Sequence, residues 1–194
     1  MAVPSAKAIE PASAALIAEL RRSFTVDGKP VPPEIFRDFG DGDLADSGAI
    51  WVTVDVRAAI GSNLYFDAIS RNGDWVVQRK VQTDHAFGDE LTGYEYIGAT
   101  ENGLLVVLAS YSGGGSGVFM TLHILDLAAG HGLDSDGKPY DRINLTDVRA
   151  IPLGDRWSGE VSIAKNTVTI VTERAGPTDD SGVRRTTTIE ASRP

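Results

Sequence analysis

The feature that most constrains this chain is a change in the spacing of its apolar residues near position 50. Before that point, Leu16, Leu20 and Phe24 recur every four residues, which is typical of the buried face of a helix. From Ile50 to Val56, apolar residues occupy every second position, which is typical of a strand with one buried face. The sequence therefore predicts one N-terminal helix followed by a mainly β region.

Turn residues divide the second region into hairpins. Asn72-Gly73 and Asn102-Gly103 each separate two apolar segments, and Asn-Gly is a strong hairpin signal because both residues tolerate positive φ. Leu104 to Ala109 is apolar at every position, which predicts a central strand covered on both faces, with the helix on one of them. The other predicted strands are residues 64–70, 74–83, 91–100, 118–125, 148–153, 161–163, 168–170 and 183–190.

We expect an α+β, mainly β fold, in which the helix packs on a strongly bent antiparallel sheet of about ten strands, barrel-like or sandwich. A chain of 194 residues with 42% apolar residues can bury one core, so residues 1–194 are predicted to form a single domain. Within it, residues 1–24 contain the helix, 25–48 form an irregular acidic connector and 49–194 form the β region. Ile35, Phe36 and Phe39 are expected to pin the connector to the core, and residues 130–147 to form a polar excursion between strands.

Composition excludes several classes of function. The net charge is −9, residues 49–130 carry 9 acidic and 4 basic residues (net −5), and no segment is net basic, so nucleic acid is not an expected partner. No apolar stretch has the roughly 18 residues of a membrane span, and residues 1–7 show no secretory signal. The absence of cysteine excludes disulfides and thiolate sites.

Acidic clusters and histidines do not form a metal-binding pattern, and no metal or cofactor is predicted. Asp134, Asp136 and Asp141, like the acidic residues at 41, 43 and 46, lack the ligand spacing of a calcium loop and are interpreted as solvated turns. Residues 132–139 match the start of a phosphate-binding loop, but Pro139 replaces the hydroxyl residue that would bind magnesium. This segment is therefore also interpreted as a turn.

Two local patterns are more specific. A glycine-rich segment containing Ser116 joins Tyr111 to Phe119, and its amides could cradle an anion or its glycines could form a bulged hairpin. Gly154-Asp155-Arg156 followed by Trp157 predicts a turn with a charge-assisted hydrogen-bond clamp under the indole. The candidate binding residues are Tyr111, Ser116, Asp155, Arg156 and Trp157.

These patterns belong to a longer series of short motifs. The series is a glycine-rich segment from Tyr111 to Leu122, then Gly137–Pro139, Leu153–Arg156, Val161–Ile163, Val168–Ile170 and Gly176–Asp179. Over residues 94–180 this order resembles a group of small, uncharacterised bacterial exported proteins, some with signal peptides or lipoprotein anchors. Members of the group carry a cysteine pair after the last motif, where this chain has residues 180–182 without cysteine. The resemblance implies a β-rich periplasmic or secreted protein and implies no reaction.

Three functions remain open from the sequence. The leading expectation is a non-enzymatic, soluble bacterial protein that binds a protein or cell-envelope partner through a sheet edge or loops. The alternative is an inhibitor or immunity-type protein that neutralises a basic toxin or hydrolase, because the acidic segment 49–130 would attract a cationic enzyme. A second alternative is a serine hydrolase using Ser116 with His85 or His123. The partner and the oligomeric state are not specified by the residues.

Overall fold

The predicted N-terminal helix is present. The computed structural model describes residues 11–39, 52–61, 68–80, 88–174 and 183–193. Helix α1 spans Pro11–Ser23 and buries Leu16, Ile17 and Leu20. After it, strands β1 (Thr25–Val26) and β2 (Lys29–Pro30) form a small hairpin.

A carboxylate of the helix fixes this hairpin turn. Glu19 accepts hydrogen bonds from the amide of Gly28 (2.8 Å), the hydroxyl of Thr25 (2.7 Å) and the amide of Asp27 (3.2 Å). These bonds, chiefly the one from Gly28, hold the pKa of Glu19 below its usual value. Asp27 and Gly28 both have positive φ, at 50° and 74°, so the carboxylate stabilises the left-handed turn that redirects the chain after α1.

The connector is more regular than its composition indicates. Residues Ile35–Phe39 form a short helix, α2, and Ile35, Phe36 and Phe39 are buried in the core as expected. The prediction of an irregular segment is therefore wrong for these residues, while 40–51, with the acidic residues at 41, 43 and 46, lie outside the described residues.

The predicted strand around residue 54 is shorter than its alternation indicates. Strand β3 covers only Thr53–Asp55, and helix α3 spans Val56–Gly61. The Asp55 carboxylate accepts a hydrogen bond from the Arg57 amide (3.1 Å), which caps the helix and stops the strand.

Most of the remaining chain is antiparallel strand. Both Asn-Gly hairpins are confirmed, since β4 pairs with β5 across Gly73 and β6 with β7 across Gly103. Of the predicted strand 64–70 only residues 68–70 are described, and residues 81–87 also lie outside. The strands are β4 (Ser70–Asn72), β5 (Trp75–Lys80), β6 (Glu90–Ala99), β7 (Leu105–Ser112), β8 (Phe119–Leu133), β9 (Pro139–Asp155), β10 (Ser158–Ala164), β11 (Thr167–Arg174) and β12 (Arg185–Glu190).

Strands β8 and β9 form a hairpin much longer than predicted. They remain paired from Phe119 and Asp155 to Leu133 and Pro139, so the expected polar excursion at 130–147 is wrong. The outer end of the hairpin, residues 130–133 paired with 139–142, is a two-stranded ribbon that needs few apolar residues. Its turn is fixed by Asp134, which accepts hydrogen bonds from the amides of Asp136 (2.9 Å) and Lys138 (2.8 Å).

Helices cover one face of a large sheet, and a second, smaller sheet covers the other face. Seven strands pair in the order β3-β9-β8-β7-β6-β5-β4, and β10-β11-β12 form a second sheet. Alternate residues of β7 enter two apolar clusters, with Leu105 and Val107 packed under the helices and Val106 and Leu108 packed on the second sheet. The α+β, mainly β fold class is confirmed, and β7 is the central strand covered on both faces. In the described ranges, no helix is long and apolar enough to cross a membrane.

Candidate functional site

The two specific sequence patterns meet at one end of the seven-stranded sheet. Phe119, at the start of β8, lies opposite Tyr111 of β7 on one side and Asp155 of β9 on the other. Directly opposed residues project from the same face of a sheet, so these three side chains form a cross-strand row. The row continues through Thr92 on β6, opposite Tyr111.

A hydrogen-bonded clamp holds the glycine-rich loop against the end of β9. The Asp155 carboxylate accepts a hydrogen bond from the Val118 amide (2.7 Å), and the Arg156 amide donates to the Val118 carbonyl (2.7 Å). The Arg156 guanidinium donates to the Ser116 carbonyl through Nε (3.0 Å) and Nη2. Asp155 and Arg156 thus form a charge-assisted clamp as predicted, and its partners are the backbone groups of Val118 and Ser116, which the pattern did not specify.

The prediction that the Trp157 indole covers this clamp is wrong. The Trp157 side chain is buried in the apolar cluster between the two sheets, and the indole Nε1 donates a hydrogen bond to the Thr172 hydroxyl (2.9 Å). Of the five predicted binding residues, Trp157 therefore offers little surface to a partner.

A buried carboxylate lies near Tyr111 and was not among the candidate site residues. Glu90, with a side chain only 7% exposed, lies 3.6 Å from the Lys80 ammonium and 3.7 Å from the Arg37 guanidinium. Burial, and then the charge of Glu90 and its hydrogen bond with the hydroxyl, raise the pKa of Tyr111. Lys80 and Glu90 lie opposite each other on β5 and β6, so the register of these two strands could have predicted their ion pair. Arg37 lies on α2, and its contact with Glu90 could not be predicted from strand register.

The rings of Tyr111 and Phe119 remain accessible and define what we call the aromatic surface. Phe119 is 56% exposed and Tyr111 is 38% exposed. A Cβ added to Gly117 would approach the Phe119 ring to 3.0 Å, so the loop backbone rests on one edge of that ring. The aromatic surface is therefore apolar, exposed and bordered by a fixed loop.

His123 is a core residue. It is 3% exposed, and its Nδ1 lies 2.8 Å from Asp147 Oδ2. The centroid of its ring lies 5.2 Å from that of Phe36 and 6.0 Å from that of Phe39. This confirms the expectation of a packed histidine. His123 is the fourth residue after Phe119 along β8, which puts it roughly 13 Å from the loop end of the strand.

The hydrolase arrangement is not assembled among the described residues. There, no hydrogen bond joins Ser116 to His123, and His85 lies outside the described ranges. His131 bonds instead to Asp141 (2.9 Å) on the exposed ribbon. In the same part of the chain, no group of three or more His, Asp or Glu residues is placed to share a metal ion.

Replacing Asp155 by Ala is expected to loosen the loop without unfolding the protein. The Val118 amide would lose a charged acceptor worth about 1.5 kcal/mol, so its hydrogen exchange should accelerate by about tenfold. Amide exchange followed by NMR measures this change. Asp155→Asn, which keeps an acceptor oxygen, is the control, and equal exchange in both variants would contradict the clamp.

Comparison with known proteins leaves the function to be argued from the residues. The chain matches no protein-family model, no curated protein and no solved structure. The resemblance to the exported bacterial group stays an expectation, and its last motif, Gly176–Asp179, lies outside the described residues.

Proposed function

We propose that this protein is a non-enzymatic recognition protein of the bacterial periplasm or exterior, and that the aromatic surface contacts a protein or cell-envelope partner. The observation that carries the proposal is the pair of adjacent, exposed rings of Tyr111 and Phe119 on a fixed framework. The resemblance to exported bacterial proteins supports the location.

Exposed aromatic rings on a rigid framework favour binding. Aromatic residues are enriched among those that dominate interface energies, because each buries a large area with few rotatable bonds. Here the Asp155–Arg156 clamp restrains the loop beside Phe119, and the buried Glu90 carboxylate lies near Tyr111. Little conformational entropy would therefore be lost on binding, which raises affinity for a given contact area.

Partly exposed charges surround the rings. The side chains of Arg156 and Arg37 are 44% and 47% exposed, and that of Asp155 is 27% exposed. A polar rim around an apolar centre is the usual composition of a protein interface.

The alternative of an inhibitor of a basic enzyme receives less support. Several carboxylates of residues 49–130 already have internal cationic partners, since Asp89 lies 3.5 Å from Arg79 and Asp126 lies 3.0 Å from Arg193. These pairs reduce the negative field that would attract a basic partner. Association that slows steeply with added salt would favour this alternative over contact through the aromatic rings.

The test compares Phe119→Ser with Leu133→Ser. Leu133 is a matched control because it is also a large exposed apolar residue, at 69%, and lies at the far end of the same strand. A partner enriched from an envelope extract of the source bacterium is purified, and its affinity for each variant is measured by calorimetry. Loss of a central aromatic contact of about 2 kcal/mol predicts roughly 30-fold weaker binding for Phe119→Ser.

The control should retain the affinity of the unmodified protein. Tyr111→Ser should weaken binding in the same direction as Phe119→Ser. If circular dichroism shows that each variant is folded and all three bind as tightly as the unmodified protein, the partner binds elsewhere on the molecule and the proposal is overturned.

A further inference from the structure

Strand β12 leaves one edge of the second sheet open. It is the last strand in the order β10-β11-β12, and in the part of the chain that the structure describes no strand pairs with its outer side. Residues 185–188 are all exposed, and the next residue, Ile189, is buried between the sheets. The first half of β12 is therefore accessible on both faces as well as along its edge.

The other described edges of the two larger sheets are protected against pairing. Strands β3 and β4 have only three residues each, and β10 has a register shift between Ser158 and Gly159. Short edges and bulges are devices by which proteins prevent edge-to-edge association. Strand β12 pairs with β11 over six residues without a register shift and contains neither proline nor lysine. An added strand can therefore form a regular ladder on β12.

Hydrogen bonds to β11 determine which backbone groups of β12 point outward. The Ala191 amide donates to the Asn166 carbonyl (2.8 Å), which extends the β11–β12 register by one pair. In an antiparallel ladder such bonded pairs recur at every second residue, and the residues between them point their amides and carbonyls away from that neighbour. Thr186, Thr188 and Glu190 therefore present their backbone groups at the open edge.

We propose that β12 pairs with β12 of a second copy of this chain, antiparallel and about a two-fold axis at Thr187. This axis places Thr186 opposite Thr188 of the second copy, so residues with outward backbone groups face each other and exchange hydrogen bonds. Opposed threonines are favourable neighbours in antiparallel sheets. The pairing joins the two three-stranded sheets into one continuous sheet.

Charge complementarity selects this register. With the axis at Thr187, Arg184, directly before the strand, lies opposite Glu190 of the second copy, and the symmetry repeats the pair. Both residues alternate with the buried Ile189, so their side chains lie on the solvent face of the sheet. A shift of the axis by one residue in either direction loses both pairs.

Both charged side chains have only exposed contacts among the described residues of their own chain. Arg184 lies 3.3 Å from Glu160, and these side chains are 59% and 73% exposed. Glu190 accepts a hydrogen bond from the Thr167 hydroxyl (3.1 Å). Exposed contacts of this kind are weak, and a guanidinium has further donors for a second carboxylate. Forming the intermolecular pair therefore requires no buried interaction to break.

The experiment is sedimentation of the full chain over a range of concentrations. One strand edge buries less than the roughly 1,200 Å² of a standard interface, so we expect a weak dimer, with a dissociation constant of about 100 µM. Thr188→Pro removes an outward amide without removing a bond to β11, and should weaken the dimer by about tenfold or more. Thr188→Val keeps the amide and the branched side chain, and this matched control should dimerise like the parent.

A charge exchange tests the register and remains informative if the proline variant does not fold. Arg184→Glu and Glu190→Arg should each weaken self-association by about tenfold, because like charges then face each other twice. An equimolar mixture of these two variants should dimerise again, since opposite charges then meet at both ends of the paired strands.

Several outcomes would overturn the inference. A chain that stays monomeric at about 1 mM would do so, as would a dimer that Thr188→Pro leaves unchanged, because the contact would then use another surface. A mixture of the two charge variants that associates no better than either variant alone would reject the register. Phe119→Ser should leave the dimer unchanged, so this edge and the aromatic surface are tested independently.

Discussion

Replacing Phe24 by Ala should lower the free energy of unfolding by about 3–5 kcal/mol. The ring is 1% exposed and lies 5.2 Å from the Tyr94 ring and 5.5 Å from the Tyr96 ring, measured between centroids. Both tyrosines are tied to backbone carbonyls through their hydroxyls, so they cannot close the cavity that Ala would leave. Urea denaturation measures the loss.

Two further variants separate the energetic cost of the cavity from the cost of the backbone conformation at this position. Phe24 has a φ of 52°, which costs an L-residue energy, and Gly adopts this conformation without strain. Phe24→Gly should therefore lose about 1 kcal/mol less stability than Phe24→Ala, because both variants lack the ring but only Ala keeps the strain. Phe24→Leu should recover much of the stability by filling part of the space. A loss below about 1 kcal/mol for Phe24→Ala would show that the surrounding rings can repack.

Removing His123 alone should cost about 3–5 kcal/mol, because it would leave the Asp147 carboxylate without its partner in a nearly dry environment. The Asp147 side chain is 9% exposed, and within the described residues its Oδ1 atom has no hydrogen-bond partner. The informative substitution is His123→Phe, since a phenyl ring suits the neighbouring rings of Phe36 and Phe39. Chemical denaturation at neutral pH measures the change.

The double variant distinguishes the pair from its surroundings. Combining His123→Phe with Asp147→Val removes both polar groups and should restore most of the lost stability. The coupling energy from the four proteins then gives the interaction of the two side chains. Additive effects would show that the pair contributes nothing beyond the volume of its members.

The elements that sequence reasoning predicted are those whose apolar pattern is local. Helix α1 follows from the spacing of Leu16 and Leu20, and β7 from an unbroken apolar run. Strand β3 was predicted too long because Val56 continues the alternation, although Asp55 caps a helix at that point. The outer end of the β8–β9 ribbon, residues 130–133 paired with 139–142, was missed because a two-stranded ladder without fully buried residues is held by backbone hydrogen bonds.

In the candidate site too, local motifs were predictable and long-range contacts were not. The Asp155–Arg156 clamp was predicted because both residues lie in one short motif, whereas its contact with the glycine-rich loop was not predicted. The burial of Glu90 and its pairing with Arg37 depend on α2 docking above the sheet, which joins residues 53 positions apart in sequence. Contacts set by docking leave no periodic signal in the chain.

The β8–β9 hairpin also determines the order in which the chain can fold. Starting from Leu133 and Pro139, each successive pair closes a loop only slightly longer than the one before, so the ladder can grow outward from its own turn at small entropic cost. The contact between strand β3 and this ladder spans a much longer stretch of sequence, since Thr53 and Thr146 are 93 residues apart. Closing such a long loop costs more entropy than extending the hairpin. We therefore expect the β3 edge of the large sheet to pair after the hairpin has formed, with strand β9 of the hairpin as its template.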